Sequence, residues 1–220
     1  FFMIAMESLG IAAITSIVTL FFAILILYFP KWNGLKFLKK ISRISILGYA
    51  IPGAIIAIGV MIPSLTIDKW LIKIFNTLFN IDIGLFLNGT IILLIYAYVI
   101  RFVAVAYNPL EASDNKISKQ FSESSQLLGK GKVYTFKKIN FPLLKTGMLS
   151  AFILVFVDIM KELPLTLILK PYNVNTLAVK AFEFASDELI FESSIPSLFI
   201  ILSGLLPIVL LNRLILKINK

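Results

Sequence analysis

Apolar residues run in five stretches long enough to cross a bilayer, at about 8–29, 44–63, 84–107, 147–169 and 196–216. A hydrocarbon core about 30 Å thick is spanned by about 20 residues of helix. Helix is also the open-ended structure that satisfies its own backbone hydrogen bonds in lipid. The pattern therefore predicts an all-α membrane protein of five transmembrane helices in a single domain over residues 1–220. Two intervening segments also repeat at helical spacing. In 67–81, Trp70, Leu71, Ile74, Phe75, Leu78 and Phe79 predict a short amphipathic helix lying flat on the membrane surface. In 173–192, Leu177, Ala178, Ala181, Phe182 and Ala185 predict a helix that either caps the bundle or forms a lip over a pathway.

Composition agrees, with 59% hydrophobic and 15% charged residues, where a soluble domain has roughly 45–50% apolar. The chain contains no cysteine and no histidine. Disulfides, thiolate nucleophiles and Ser-His or Cys-His catalysis are therefore excluded, and so are zinc sites built on those ligands. The formal charge of +9 follows membrane topology, and no nucleic-acid partner is expected. Lys31, Lys36, Lys39, Lys40 and Arg43 follow the first stretch. Lys116, Lys119, Lys130, Lys132, Lys137, Lys138 and Lys145 lie in segment 110–145, and Arg213, Lys217 and Lys220 close the chain. The other side holds only Lys69, Lys73, Lys170 and Lys180, with Glu7, Asp68, Asp82, Glu183, Asp187, Glu188 and Glu192. Because cytoplasmic loops carry the excess of lysine and arginine, the N-terminus is expected outside and the C-terminus and 110–145 in the cytoplasm. The chain starts at Phe1 with no recognisable cleavable signal, so it reads as part of a longer polypeptide.

In 110–145, Asp114 or Ser113 is positioned to cap a helix over about 115–128, with Gly129 ending it in a left-handed conformation. Ile117, Phe121, Ser124 and Leu128 would share a narrow apolar face suited to a partner's groove, with Glu123 on another face where an acid can meet an arginine or backbone donors. A second helix from Lys132 to about Asn140 would turn Val133, Phe136 and Ile139 toward its neighbour and Lys137 and Lys138 toward phosphate headgroups, and Pro142 would stop it. The plainer alternative is a basic loop whose charges only set topology.

The spacing decides between these. Glu123-Ser124-Ser125, three residues, Gly129, nine residues and Ile139-Asn140-Phe141-Pro142 resemble the EAA loop, E-A-A-x3-G-x9-I-x-L-P, of binding-protein-dependent ABC importers. Ser124 and Ser125 stand where that motif has alanine, and Phe141 where it has leucine. With its five-span layout the chain resembles a MetI-like permease, an ABC transmembrane type-1 domain. Gly48-Tyr49-Ala50-Ile51-Pro52-Gly53, Ala97-Tyr98-Val99-Ile100-Arg101-Phe102, Lys161-Glu162-Leu163-Pro164-Leu165-Thr166 and Asn175-Thr176-Leu177-Ala178 most resemble the C-terminal half of iron(III) importer permeases. Thiamine, polyamine, sulfate and phosphonate permeases share much of the pattern. A secondary transporter or channel is the reading from another class. The resemblance implies a permease subunit in the bacterial inner membrane that takes cargo from a solute-binding protein outside. Its partners would be a cytoplasmic ABC ATPase dimer, a second permease half, fused or separate, and membrane lipid. Glu123, Ser124, Ser125, Gly129, Ile139 and Pro142 would couple it to the ATPase. The chain would bind no cofactor and be no enzyme itself, with ATP and magnesium at the ATPase. Gly129-Lys130-Gly131-Lys132 is not a phosphate-binding loop of the G-x4-G-K-[ST] kind.

Charges inside the apolar spans mark a candidate pathway. Arg101 lies in the third, and Asp158, Lys161 and Glu162 lie in the fourth, where each costs at least about 2.5–3.5 kcal/mol. On a continuous helix Asp158 and Glu162 would share a face and could offer oxygen to a hard cation in transit. The alternative is an internal ion-pair network with Arg101 that fixes packing or gates the path. Pro52 and Pro164 are expected to interrupt their helices, and Gly48, Gly53 and Gly59 to let neighbours approach closely.

Overall fold

The computed structural model describes residues 1–34, 36–81 and 84–218. Asp82 and Lys220, two of the charged positions named above, lie outside them, as do the side chains of Lys36, Lys39, Lys119 and Lys217. Every element among the described residues is helical.

Helix α1 (Phe2–Asn33) ends at Gly34, whose positive φ of 68° lets its N–H reach the Pro30 carbonyl at 3.0 Å. Its inward face is made of small and hydroxyl residues, Ala5, Ser8, Ala12, Thr15, Ser16, Thr19 and Ala23. Ile14, Ile17, Phe21 and Phe22 point outward. This inverts the pattern of a soluble protein, because lipid is as apolar as leucine and association depends on close backbone approach. Ser8 and Ser16 return their hydroxyls to the carbonyls four residues back, at 2.8 and 2.6 Å.

The short helix α2 (Lys36–Ser45) and a 3-10 turn at Ile46–Ala50 lead to Pro52 and helix α3 (Gly53–Phe79). The span expected over 44–63 thus starts as a helix only at Gly53. It continues through Pro63 and absorbs the separate flat helix expected over 67–81. Asp68 explains the continuation. Although a charged residue on that segment reads as solvent-facing, it is fully buried. Its carboxylate accepts the N–H groups of Phe86, Leu87 and Asn88 at 3.2, 2.8 and 2.9 Å and the Asn88 side-chain amide at 2.8 Å. The 84–90 connection is therefore folded onto α3. Helix α4 (Ile91–Asp114) begins seven residues later than the expected span and is capped by Thr90, which accepts from Leu93 N–H at 3.4 Å.

Helices α5 (Lys119–Leu127) and α6 (Lys132–Thr135), a π-turn at Phe136–Asn140 and the short α7 (Phe141–Leu143) make up the polar loop. At Leu144 the chain bends by 69° into α8 (Lys145–Met160). The fourth span is broken after Met160, and Pro164 opens α9 (Pro164–Leu169). Helices α10 (Leu177–Ser186) and α11 (Ile190–Ile218) complete the chain, the latter starting before the expected 196. By length and composition, four helices among the described residues can cross a membrane, or five when Lys132–Leu143 and Lys145–Met160 count as one bent span.

Helix α4 is the central element, packed against α1 on one side and α8 on the other, with α11 laid over α8 and α10. Two glycines permit close approach of neighbouring elements to its backbone and last turn. A Cβ on Gly48 would stand 2.2 Å from the Ile100 carbonyl oxygen, and one on Gly147 would stand 2.4 Å from Ser113 Oγ. Gly59 does not act in this way, since nothing lies within 4 Å of its Cβ position. At one end of the bundle, the Leu177 and Asn175 N–H groups reach Ser8 Oγ and Glu7 Oε2, at 2.8 and 3.4 Å. At the other end the basic segments after α1 and α4 meet.

Candidate functional site

That second end carries the loop. Its first helix, α5, is capped by Ser118, whose hydroxyl accepts from Gln120 N–H at 3.3 Å. The expected caps, Ser113 and Asp114, instead belong to the last turn of α4, because that helix runs about two turns past its apolar stretch. At the far end Gly129 has φ +74°. Its N–H donates to the Gln126 carbonyl at 2.9 Å, and Lys130 N–H donates to the Ser125 carbonyl at 3.1 Å. These two bonds make a Schellman turn, which needs a residue without a Cβ penalty at that position.

The two serines of the motif have separate roles. Ser125 is buried and its hydroxyl pairs with Thr135 Oγ1 at 2.8 Å, stapling α5 to α6, while Ser124 is exposed. Ser122 Oγ donates to Asn140 Oδ1 at 3.4 Å, a second tie between the limbs. Glu123 faces outward, and no described cation pairs with it. The exposed apolar positions of α5 are Phe121, Leu127 and Leu128, the last two 88% and 78% exposed. The expected stripe is corrected accordingly, since Ile117 is packed against the core and Leu127 replaces it at the surface. On the second limb Phe136 and Ile139 are half-buried as expected, but Val133 is exposed. Lys137 and Lys138 are exposed.

Pro142 does not end that limb at Asn140. Phe141 N–H bonds to the Phe136 carbonyl, an i→i+5 turn, and this widening eases the clash between a proline ring and the carbonyl four residues back. Helical backbone then continues to Leu143 with Pro142 exposed.

Residues that periodicity does not single out hold the loop to the bundle. Tyr28, near the end of α1, donates its hydroxyl to Asp114 Oδ1 at 2.5 Å, and Lys31 pairs with Asp114 Oδ2. The Tyr28 ring meets Phe136 edge-on at 4.6 Å, and Trp32 meets Phe136 at 5.5 Å. The Lys132 ammonium donates to the Trp32 carbonyl at 2.5 Å. Only contacts between segments distant in the chain could have revealed this set.

The membrane-level charges separate into two pairs. Arg101 Nη1 lies 3.3 Å from Glu162 Oε1, with side chains 18% and 7% exposed, while Lys161 Nζ lies 2.9 Å from Asp158 Oδ1. Because α8 stops at Met160, Asp158 and Glu162 are not neighbours on one continuous helix face. The expected paired-carboxylate site for a hard cation is replaced by two acids, each held by its own cation. Glu162 is fixed further by Leu165 N–H at 3.2 Å, and Thr166 donates to its carbonyl at 2.7 Å. The Thr166 hydroxyl also meets Tyr98 Oη at 2.5 Å. Gly53 makes room for the pair, since a Cβ there would lie 1.7 Å from Arg101 Nη1.

Comparison with known proteins fits this arrangement. The chain is 29% identical over 173 residues to the Fe(3+)-transport system permease protein FbpB 2 of Haemophilus influenzae, covering 79% of this chain and 31% of that protein. It thus spans under a third of the length of the relative it matches. Residues 35–220 match the family model for binding-protein-dependent transport system inner membrane components. The match takes in every element from α2 onward, including the Glu123–Pro142 loop, and the chain belongs to that family of inner membrane transport components.

Proposed function

We propose that this chain is a permease subunit of an ATP-driven importer and that Glu123–Pro142 is its docking surface for a cytoplasmic ATPase. The Schellman turn at Gly129 carries this reading. It reverses the chain between two short limbs and leaves Phe121, Leu127 and Leu128 exposed at one end of the bundle, with Glu123 exposed and in no ion pair among the described residues. An apolar ridge beside an exposed carboxylate fits a groove with a basic rim. The energy then comes from the partner, which binds ATP and magnesium. This chain supplies coupling without catalysis, and a solute-binding protein delivers cargo at the opposite end. The excess of lysine and arginine on the loop side of the chain supports a cytoplasmic loop and an external N-terminus.

Iron(III) is the cargo this reading favours, on the strength of the iron-named relative. Thiamine, polyamine, sulfate and phosphonate are the competing cargoes. The acids at membrane level suit passage without capture, because each is neutralised by an adjacent cation. In the complete transporter, Glu123→Lys and Gly129→Pro should abolish transport-coupled ATP hydrolysis while membrane insertion is unchanged. Normal coupling in either variant would sink the docking assignment. Growth on limiting iron with and without the gene tests the cargo separately.

A further inference from the structure

The family match begins at residue 35, yet the helix before it touches the loop directly. Tyr28 joins three parts of the molecule. It is almost completely buried in α1, its hydroxyl reaches Asp114 on α4, and its ring lies against Phe136 of the second limb. Lys31 occupies the other oxygen of Asp114. Trp32 adds a ring contact to Phe136 and offers its carbonyl to Lys132. These contacts differ in kind: an ion pair and a hydroxyl to a carboxylate join the end of α1 to Asp114 on α4, and packed rings and an ammonium on a carbonyl join it to Phe136 and Lys132 of the 132–143 segment.

The position of Phe136 adds direction. It opens the π-turn from which the segment passes through Pro142 to the 69° bend into α8. A displacement of the segment can therefore follow two routes. One is covalent, through Leu144 into α8. The other passes through Phe136 and Tyr28 into α1 and, by way of Asp114, into α4. Without the second route the loop could still hold a partner, but its movement would enter the bundle through α8 alone and reach α1 and α4 only through helix packing.

We propose that the end of α1 and Asp114 form a latch that makes α1 and α4 move with the 132–143 segment, with Tyr28, Trp32 and Asp114 as positioning residues for coupling. The proposal rests on the docking role given above. The test uses the complete transporter in liposomes with its ATPase and binding protein, reading the stimulation of ATP hydrolysis by the binding protein per assembled complex. In Tyr28→Phe and Asp114→Asn the ATPase should co-purify at the parental ratio, with stimulation falling about ten-fold, the scale of losing a hydrogen bond to a charged group. Phe136→Ala should do the same. The exchange of Lys31→Asp with Asp114→Lys should recover most of what Asp114→Lys alone loses, which separates the ion pair from general damage. Parental stimulation in Tyr28→Phe and Phe136→Ala overturns the latch, and so does a loss that only tracks the amount of assembled complex. Glu123→Lys serves as the separate control. If it stays coupled, the docking role itself fails, whereas if it uncouples while the Tyr28 and Phe136 variants do not, only the latch fails.

Discussion

Adding one methyl group at Gly53 should break the most buried ion pair of the membrane region. The Cβ of an alanine there would stand 1.7 Å from Arg101 Nη1, 2.9 Å from Arg101 Cζ and 2.7 Å from Glu162 Oε1. None of these contacts is tolerable, so the guanidinium has to leave. At 3.3 Å and an effective dielectric of about 20, the attraction it gives up is about 5 kcal/mol before desolvation is counted. Removing one partner of a buried pair costs roughly 3–5 kcal/mol. The atoms that must move are the far ends of two flexible side chains, so we take the lower end, about 3 kcal/mol. The assay is reversible unfolding in mixed detergent micelles followed by circular dichroism, with Gly59→Ala as reference. No atom lies within 4 Å of the Gly59 Cβ position, so that change should be neutral or stabilising by up to about 1 kcal/mol through helix propensity. In an Arg101→Ala background the cost of Gly53→Ala should fall below about 1 kcal/mol, since residues in contact are coupled in a double-mutant cycle. If Gly53→Ala and Gly59→Ala unfold alike, the argument that Gly53 exists to seat the pair is wrong.

Gly129→Ala should destabilise the loop by about 1–2 kcal/mol, the cost of a left-handed conformation for a residue with a Cβ, and amide exchange at Lys130 should rise because its bond to Ser125 weakens. Asp68→Ala should free the N–H groups of Phe86, Leu87 and Asn88; their exchange should accelerate while α4 amides past Leu94 keep parental protection, and unchanged rates at Leu87 would contradict the clamp. Ser125→Ala should cost about 1 kcal/mol through the lost bond to Thr135, whereas Ser124→Ala, at an exposed position, should stay within about 0.5 kcal/mol.

Apolar runs were enough to read the all-helical membrane class and the order of the apolar segments, because a bilayer imposes length on every helix that crosses it. Spacing was enough to read the loop motif, since Glu123, Gly129 and Pro142 have fixed offsets. Boundaries were less legible wherever a polar group found an internal partner. Asp68 looks like a surface charge until the amides of 86–88 are brought to it, and with that knowledge α3 can run on to Phe79. The capping of α5 was misplaced for a related reason. Asp114 is a good N-cap by type, but Tyr28 and Lys31 claim its carboxylate from another helix, and Ser118 takes the cap. The Asp158 and Glu162 pair was drawn on an unbroken helix, and the break at 161–163 gave each acid a different cation.

The two regions marked from sequence, the loop and the membrane-level charges, lie at opposite ends of one short helix. Helix α8 has 16 residues, about 24 Å at 1.5 Å per residue. It begins beside fully buried Leu144 at the bend and ends one residue before Lys161 and Glu162. Gly147 sets the first turn of α8 directly against the Ser113 side chain and the Pro109 carbonyl of α4, and Glu162 returns to α4 through Arg101. The two helices are therefore joined at both ends of α8, by close backbone packing near the loop and by an ion pair at membrane level. A strut fixed in this way resists shear and passes displacement along its axis. In the coupling role proposed above, movement imposed on 132–143 would then reach the Arg101–Glu162 pair as a shift of its whole framework.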